Sequence, residues 1–175
     1  MLKYIYQDLL SVVRFLPGGV VMGAIVSVTF FWVADKVQRR RGKKRIAMVP
    51  SVLFWTYFSV ILIITFLSRE SGTRQGMDLE LFSTWGINER NNAYVVENVL
   101  LFIPYGFLSP CVFRALRRVC RCGVFGFLTS LGIELLQLVT QRGYFQIDDI
   151  LTNGLGTIIG YFLFRFVTAI IRKRR

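Results

Sequence analysis

FQIDDILTNGLGTIIGYFLF, residues 145–164, sets two adjacent acids and an asparagine at the mouth of an uncharged run. From Ile150 to Phe164 no residue is charged, and the apolar stretch continues to Ile171 with Arg165 as its single base. A hydrocarbon core about 30 Å thick is crossed by about 20 mostly apolar helical residues, so 150–171 reads as a membrane span. An acid at its start complements the helix dipole and caps free backbone N–H groups. Capping accounts for one acceptor there. It does not account for Asp148, Asp149 and Asn153 together.

Four more stretches read the same way: 17–34, 46–68, 93–113 with the single acid Glu97, and 122–141 with the single acid Glu134. The chain of 175 residues is 54% apolar and 18% charged, with mean hydropathy +0.51, too apolar for an ordinary soluble domain. Residues 1–16 carry Lys3, Gln7, Ser11 and Arg14 at helical spacing opposite Leu2, Ile5, Leu9, Val12, Val13 and Leu16, the pattern of a helix lying in the membrane interface. The expected fold is therefore all-α: one polytopic bundle over 17–175 with about five transmembrane helices, preceded by an interfacial amphipathic helix.

The net charge of +12 would point to nucleic acid in a soluble protein, but here the bases fall in short clusters between apolar runs. Seven lie in 35–45, Arg114, Arg117, Arg118 and Arg121 separate the third and fourth spans, and Arg172 to Arg175 close the sequence. With five spans, these segments share one side, and the excess of Lys and Arg marks that side as cytoplasmic. No nucleic-acid partner is expected. The N-terminus is expected outside and the C-terminus inside.

Histidine is absent, which excludes His-based triads and His metal ligands. Cys111, Cys120 and Cys122 gather near one basic loop and do not form a disulfide framework. No cleavable signal peptide is apparent. No residue set is assigned to a metal, and both the cofactor and the oligomeric state are left open.

This topology gathers the scattered polar residues in the outer leaflet. Gly126, Ser130, Glu134, Gln137 and Gln141 share one face of the fourth span. Glu97 and Asn98 lie near the outer end of the third, Arg142 to Asp149 form an outer loop, and Asn153 is about one turn into the fifth. An intramembrane acid costs about 2.5–3.5 kcal/mol even on the lenient insertion scale. Glu134 therefore requires a partner, water or a proton. Pairing with Arg142 is the structural alternative to a role in a binding or reaction site. Pro104 is expected to kink the third span, with Asn98, Phe102, Tyr105 and Ser109 on one side of it, while Gly156 and Gly160 suit close helix packing.

The blocks ENVLLFIPYGFL (97–108), ELLQ (134–137) and DDILTNGLGTIIGY (148–161) resemble the VanZ-like family of bacterial membrane proteins. The resemblance rests on Asn98, Phe102, Pro104 and Gly106, on Glu134 and Gln137, and on Asp149, Asn153 and Gly156, with Arg142 in the preceding loop. One departure is Gln146, where family members often carry an acid. The interfacial helix and first span look like additions to the family's minimal core. The resemblance implies a plasma-membrane protein that lowers susceptibility to glycopeptide antibiotics such as teicoplanin.

Three mechanisms fit these residues. An outward-facing polar cleft could engage membrane lipids, a lipid-linked cell-wall precursor or the glycopeptide itself. Alternatively, Glu134 and Asp149 could act as the acid and base of an envelope-lipid enzyme, with or without a Mg²⁺-type ion on oxygen ligands. The third reading is a lipid flippase. Glu97, Asn98, Tyr105, Gln137, Arg142, Asp148 and Asn153 are the candidate substrate contacts; Pro104, Gly106, Gly156 and Gly160 are the candidate structural residues. In a cysteine-free background, Gln75→Cys should react with a membrane-impermeant maleimide on intact cells and Arg40→Cys should not. The reverse pattern would overturn the orientation.

Overall fold

The structure, a computed structural model, describes residues 1–40, 48–67 and 76–174. Six α-helices account for most of it: α1 (Leu2–Val13), α2 (Leu16–Arg40), α3 (Met48–Leu67), α4 (Glu89–Val112), α5 (Val119–Thr140) and α6 (Ile147–Lys173). A 3₁₀ turn, Arg114–Arg117, links α4 to α5. Five of the helices, α2 to α6, are long and apolar enough to cross a membrane. The fold is a polytopic helical bundle.

The helices run past the uncharged stretches at several ends: α2 continues to Arg40, α4 starts at Glu89, and α6 starts at Ile147. Asp148 and Asp149 thus belong to the first turn of α6 rather than to a loop. Hydropathy marks where the hydrocarbon ends, but a helix stops only where its backbone loses hydrogen-bond partners. Residues 41–45 of the basic segment 35–45 and residues 69–75 of the loop 69–92 lie outside the described residues.

Without a hydrophobic force between helices in lipid, association depends on close backbone approach at small residues. Gly19, Gly23 and Ser27, spaced by four, bring α2 onto α3. A side chain at Gly19 would overlap Val60 and one at Gly23 would overlap Thr56, while the Ser27 hydroxyl donates to the carbonyls of Gly23 at 2.6 Å and Val52 at 3.1 Å. This small-residue stripe is a spacing signal carried by the sequence alone.

The tightest crossing joins α4 and α6. A Cβ at Gly156 would strike the Val99 carbonyl, one at Gly160 the Ile103 carbonyl, and one at Gly106 the Thr157 backbone. Contact positions rise together along both helices, so α4 and α6 are parallel. On α5 they run the other way, Gly126 meeting Thr157 and Ser130 meeting Asn153. The C-termini of α3 and α5 and the N-termini of α4 and α6 therefore share one end of the bundle. The basic turn 114–121 and the basic tail share the other.

Between the ends lies an aromatic core of Phe54, Phe102 and Tyr105 with Ile61 and Ile133. Pro104 and Pro110 both lie inside α4, and the Tyr57 hydroxyl donates to the Leu101 carbonyl at 2.6 Å, within the turn that Pro104 disrupts. At one end, Met77–Asp78 pairs in parallel with Phe145–Gln146, joining the segment before α4 to the α5–α6 connection.

Gly160→Ala should lower the detergent melting temperature, as overpacking costs about 1–3 kcal/mol. Gly154→Ala meets open space and should be neutral or stabilising by up to about 1 kcal/mol through helix propensity alone. Equal melting temperatures for the two variants would remove the α4–α6 crossing from its place in the fold.

Candidate functional site

The polar residues of α5 and α6 meet through the antiparallel register. Asn153 Nδ2 lies 2.8 Å from Ser130 Oγ inside the bundle. One turn outward, the same register sets Glu134 opposite Asp149. Glu134 accepts the backbone N–H of Gln146 at 3.1 Å. Glu134 is 2% exposed, Asn153 5% and Asp149 9%, so this cluster is enclosed by protein.

Asn153 is the least satisfied member. Its Oδ1 is buried and has no hydrogen-bond partner among the described residues. The Ser130 hydroxyl can donate or accept, so turning the amide over only changes which polar atom is left unpaired. Asn98, half-buried on α4, makes no side-chain hydrogen bond among the described residues.

Other candidates have structural partners. Gln137 Nε2 donates to the Thr65 carbonyl at 3.2 Å, and Arg142 Nη1 to the Phe66 carbonyl at 2.6 Å. Both carbonyls belong to the last described turn of α3. Gln137 and Arg142 thus tie α5 and the α5–α6 connection to a neighbouring helix.

Asp148 does not cap α6 either. Its Oδ1 accepts the Phe82 N–H at 2.7 Å and its Oδ2 the Thr84 N–H at 3.0 Å. This two-pronged hold fixes a loop in which Phe82 adopts a left-handed φ of 64°. Asp78 supports the same loop, accepting from the Glu80 N–H and the Ser83 hydroxyl. The N-cap residue of α6, Gln146, makes no side-chain cap bond.

Two expected contacts lie elsewhere. Tyr105 is fully buried in the aromatic core, stacked on Phe125 and hydrogen-bonded to Thr129 at 2.6 Å. Its hydroxyl is spent inside the bundle because helical spacing from Asn98 fixes its side of α4 but not its depth. Glu97 faces α1, in the field of Asp8 and Arg90, and its Oε1 is buried with no hydrogen-bond partner among the described residues. Arg90 there also stacks over Tyr4 and Tyr94. Among the described residues, no group of three or more acids and cysteines could hold a metal ion.

A multi-pass helical membrane protein with a buried polar cluster between three spans is the class these features define. The chain belongs to the VanZ/LLP1 family, whose model matches residues 19–168. It is also similar to Protein VanZ of Enterococcus faecium, 24% identical over 119 residues that cover 68% of this chain and 67% of that one. No solved structure matches it. The family match begins at Gly19 and so includes nearly all of α2. This corrects the expectation that the first span is an addition; only α1 lies wholly outside.

Asp148→Ala leaves one buried N–H, of Thr84, and one partly buried N–H, of Phe82, unpaired and should cost about 1–3 kcal/mol. Faster hydrogen exchange at residues 79–86 would locate the loss. Asp148→Asn keeps one acceptor and should cost less. Unchanged exchange in the alanine variant would remove Asp148 from the loop's support.

Proposed function

We propose that this protein lowers susceptibility to glycopeptide or lipoglycopeptide antibiotics such as teicoplanin by holding an envelope lipid or lipid-linked cell-wall precursor at the outer ends of α4, α5 and α6. Family membership supports the resistance role. The observation that carries the binding reading is Asn153: a side-chain amide buried to 5% exposure with one polar atom unpaired. Leaving such an atom unsatisfied costs about 1–3 kcal/mol, a standing cost that a ligand group would remove. Asn98 on α4 offers a second open amide.

In this reading the open Oδ1 of Asn153 accepts from a hydroxyl or N–H of the ligand, the Asn98 amide donates to its oxygens, and Glu134 and Asp149 set the local charge. Gln137, Arg142 and Asp148 hold the surrounding helix ends in place. The excess of bases at the opposite end supports placing the cluster on the outer face.

One observation favours a second reading. Glu134 and Asp149 stand opposite each other by register, and two carboxylates in unlike surroundings can serve as general acid and general base. A lipid bound at Asn153 would then be cleaved or transferred rather than held.

Glu134→Gln and Asp149→Asn should remain inserted yet lose resistance in drug-susceptibility titrations at matched membrane levels. Purified protein incubated with mass-resolved lipid extract separates the readings: retained lipid without product is binding, and a new lipid mass is catalysis. A fully resistant Asp149→Asn strain would reduce that acid to a helix-end charge.

A further inference from the structure

The end of the bundle farthest from the polar cluster carries a different feature. Between the 3₁₀ turn and α5 lies a groove of about 380 Å³ lined by Leu116, Cys120, Arg121, Val124, Phe125 and Leu128. It is shallow and open along one side. Arg121, Val124 and Leu128 follow one another at three and four residues and so share one face of α5. Val124 and Leu128 are exposed. The groove is thus apolar along its length, with Arg121 among its lining residues and Arg118 three residues earlier at the N-cap of α5.

The charge there is one-sided. From Asn98 to Ile133 the chain contains no acid, while Arg114, Arg117, Arg118 and Arg121 crowd the turn. Arg117 donates through Nε to the Pro110 carbonyl at 3.2 Å. Arg114, Arg118 and Arg121 make no ion pair or side-chain hydrogen bond among the described residues. The turn itself is fixed: Leu116 packs with Cys122 and Tyr161, and the Tyr161 hydroxyl donates to the Arg117 carbonyl at 2.9 Å. The guanidinium groups are therefore presented by a held backbone.

We propose that this groove is a binding site for a membrane phospholipid with an anionic headgroup. The acyl chain lies along Val124, Phe125 and Leu128, and the phosphate meets Arg121 and Arg118 at the mouth. Basic pockets beside transmembrane helices bind anionic lipid headgroups for this reason: the chain stays in the hydrocarbon while the phosphate finds donors at the interface. This site is separate from the polar cluster, and its failure would leave the reading of that cluster untouched.

Native mass spectrometry of the full-length protein, titrated with phosphatidylglycerol and with phosphatidylethanolamine, tests the proposal. The wild type should retain phosphatidylglycerol preferentially. Arg118→Gln/Arg121→Gln should weaken that retention about thirtyfold, since each base near an anionic lipid contributes about 1 kcal/mol, close to a factor of five. Val124→Trp, which fills the groove from its exposed side, should reduce retention of phosphatidylglycerol. Leu163→Trp, at an exposed position on α6, should not. Equal retention of both lipids by the wild type, or unchanged retention in the arginine variant, would overturn the proposal. Competition by glycerol phosphate alone would instead assign the site to a free phosphate. A dimer abolished by Val124→Trp would assign the groove to a second copy of this chain. Either result replaces the lipid.

Discussion

The contact on which this bundle depends is the backbone-to-backbone crossing of α4 and α6. Gly106, Gly156 and Gly160 leave no room for a Cβ between the two helices. In lipid, where apolar side chains gain little by leaving one apolar phase for another, such close approach is what holds helices together. Because α4 and α6 run parallel, the chain between them must return along their length. α5 makes that return, and Gly126 against Thr157 fixes its register on α6. The pairing of Ser130 with Asn153, and of the Glu134 level with the Asp149 level, follows from that one setting.

Polarity at the site end is distributed by the same geometry. An intramembrane carboxylate or amide persists only where something offsets its desolvation. Most of the polar side chains gathered here meet that demand through protein backbone. Asp148 takes two loop amides, Gln137 and Arg142 take carbonyls in the last described turn of α3, and Glu134 takes the amide of Gln146. Several are therefore fasteners between segments that lie far apart in sequence. Against that background the Oδ1 of Asn153, like the Oε1 of Glu97 and the Oγ1 of Thr84, is a buried polar atom with no partner among the described residues.

The two ends of the molecule differ in kind. The site end buries acids and amides among helix termini, and its loop is tied down by Asp148 and Asp78. The opposite end holds Arg114, Arg118 and Arg121 without an ion pair among the described residues, around a held turn. The polar cluster and the basic turn thus lie at opposite ends of the bundle.

The sequence by itself determined the five apolar helices, the clustering of bases between alternate spans, and the polar residues of α5 on one face. These are one-dimensional properties, set by run length and helical period, and they survive any arrangement of the helices. The glycines at 156 and 160 were legible as a packing signal for the same reason. What only the tertiary structure decided is which neighbour each polar group faces. Tyr105 falls into the aromatic core and Glu97 toward α1. Gln137 and Arg142 turn to the end of α3, and Asp148 turns to a loop 64 to 66 residues earlier in the chain. Rotation and depth of a helix relative to its neighbours follow from where backbones can touch, and no spacing within one span encodes that.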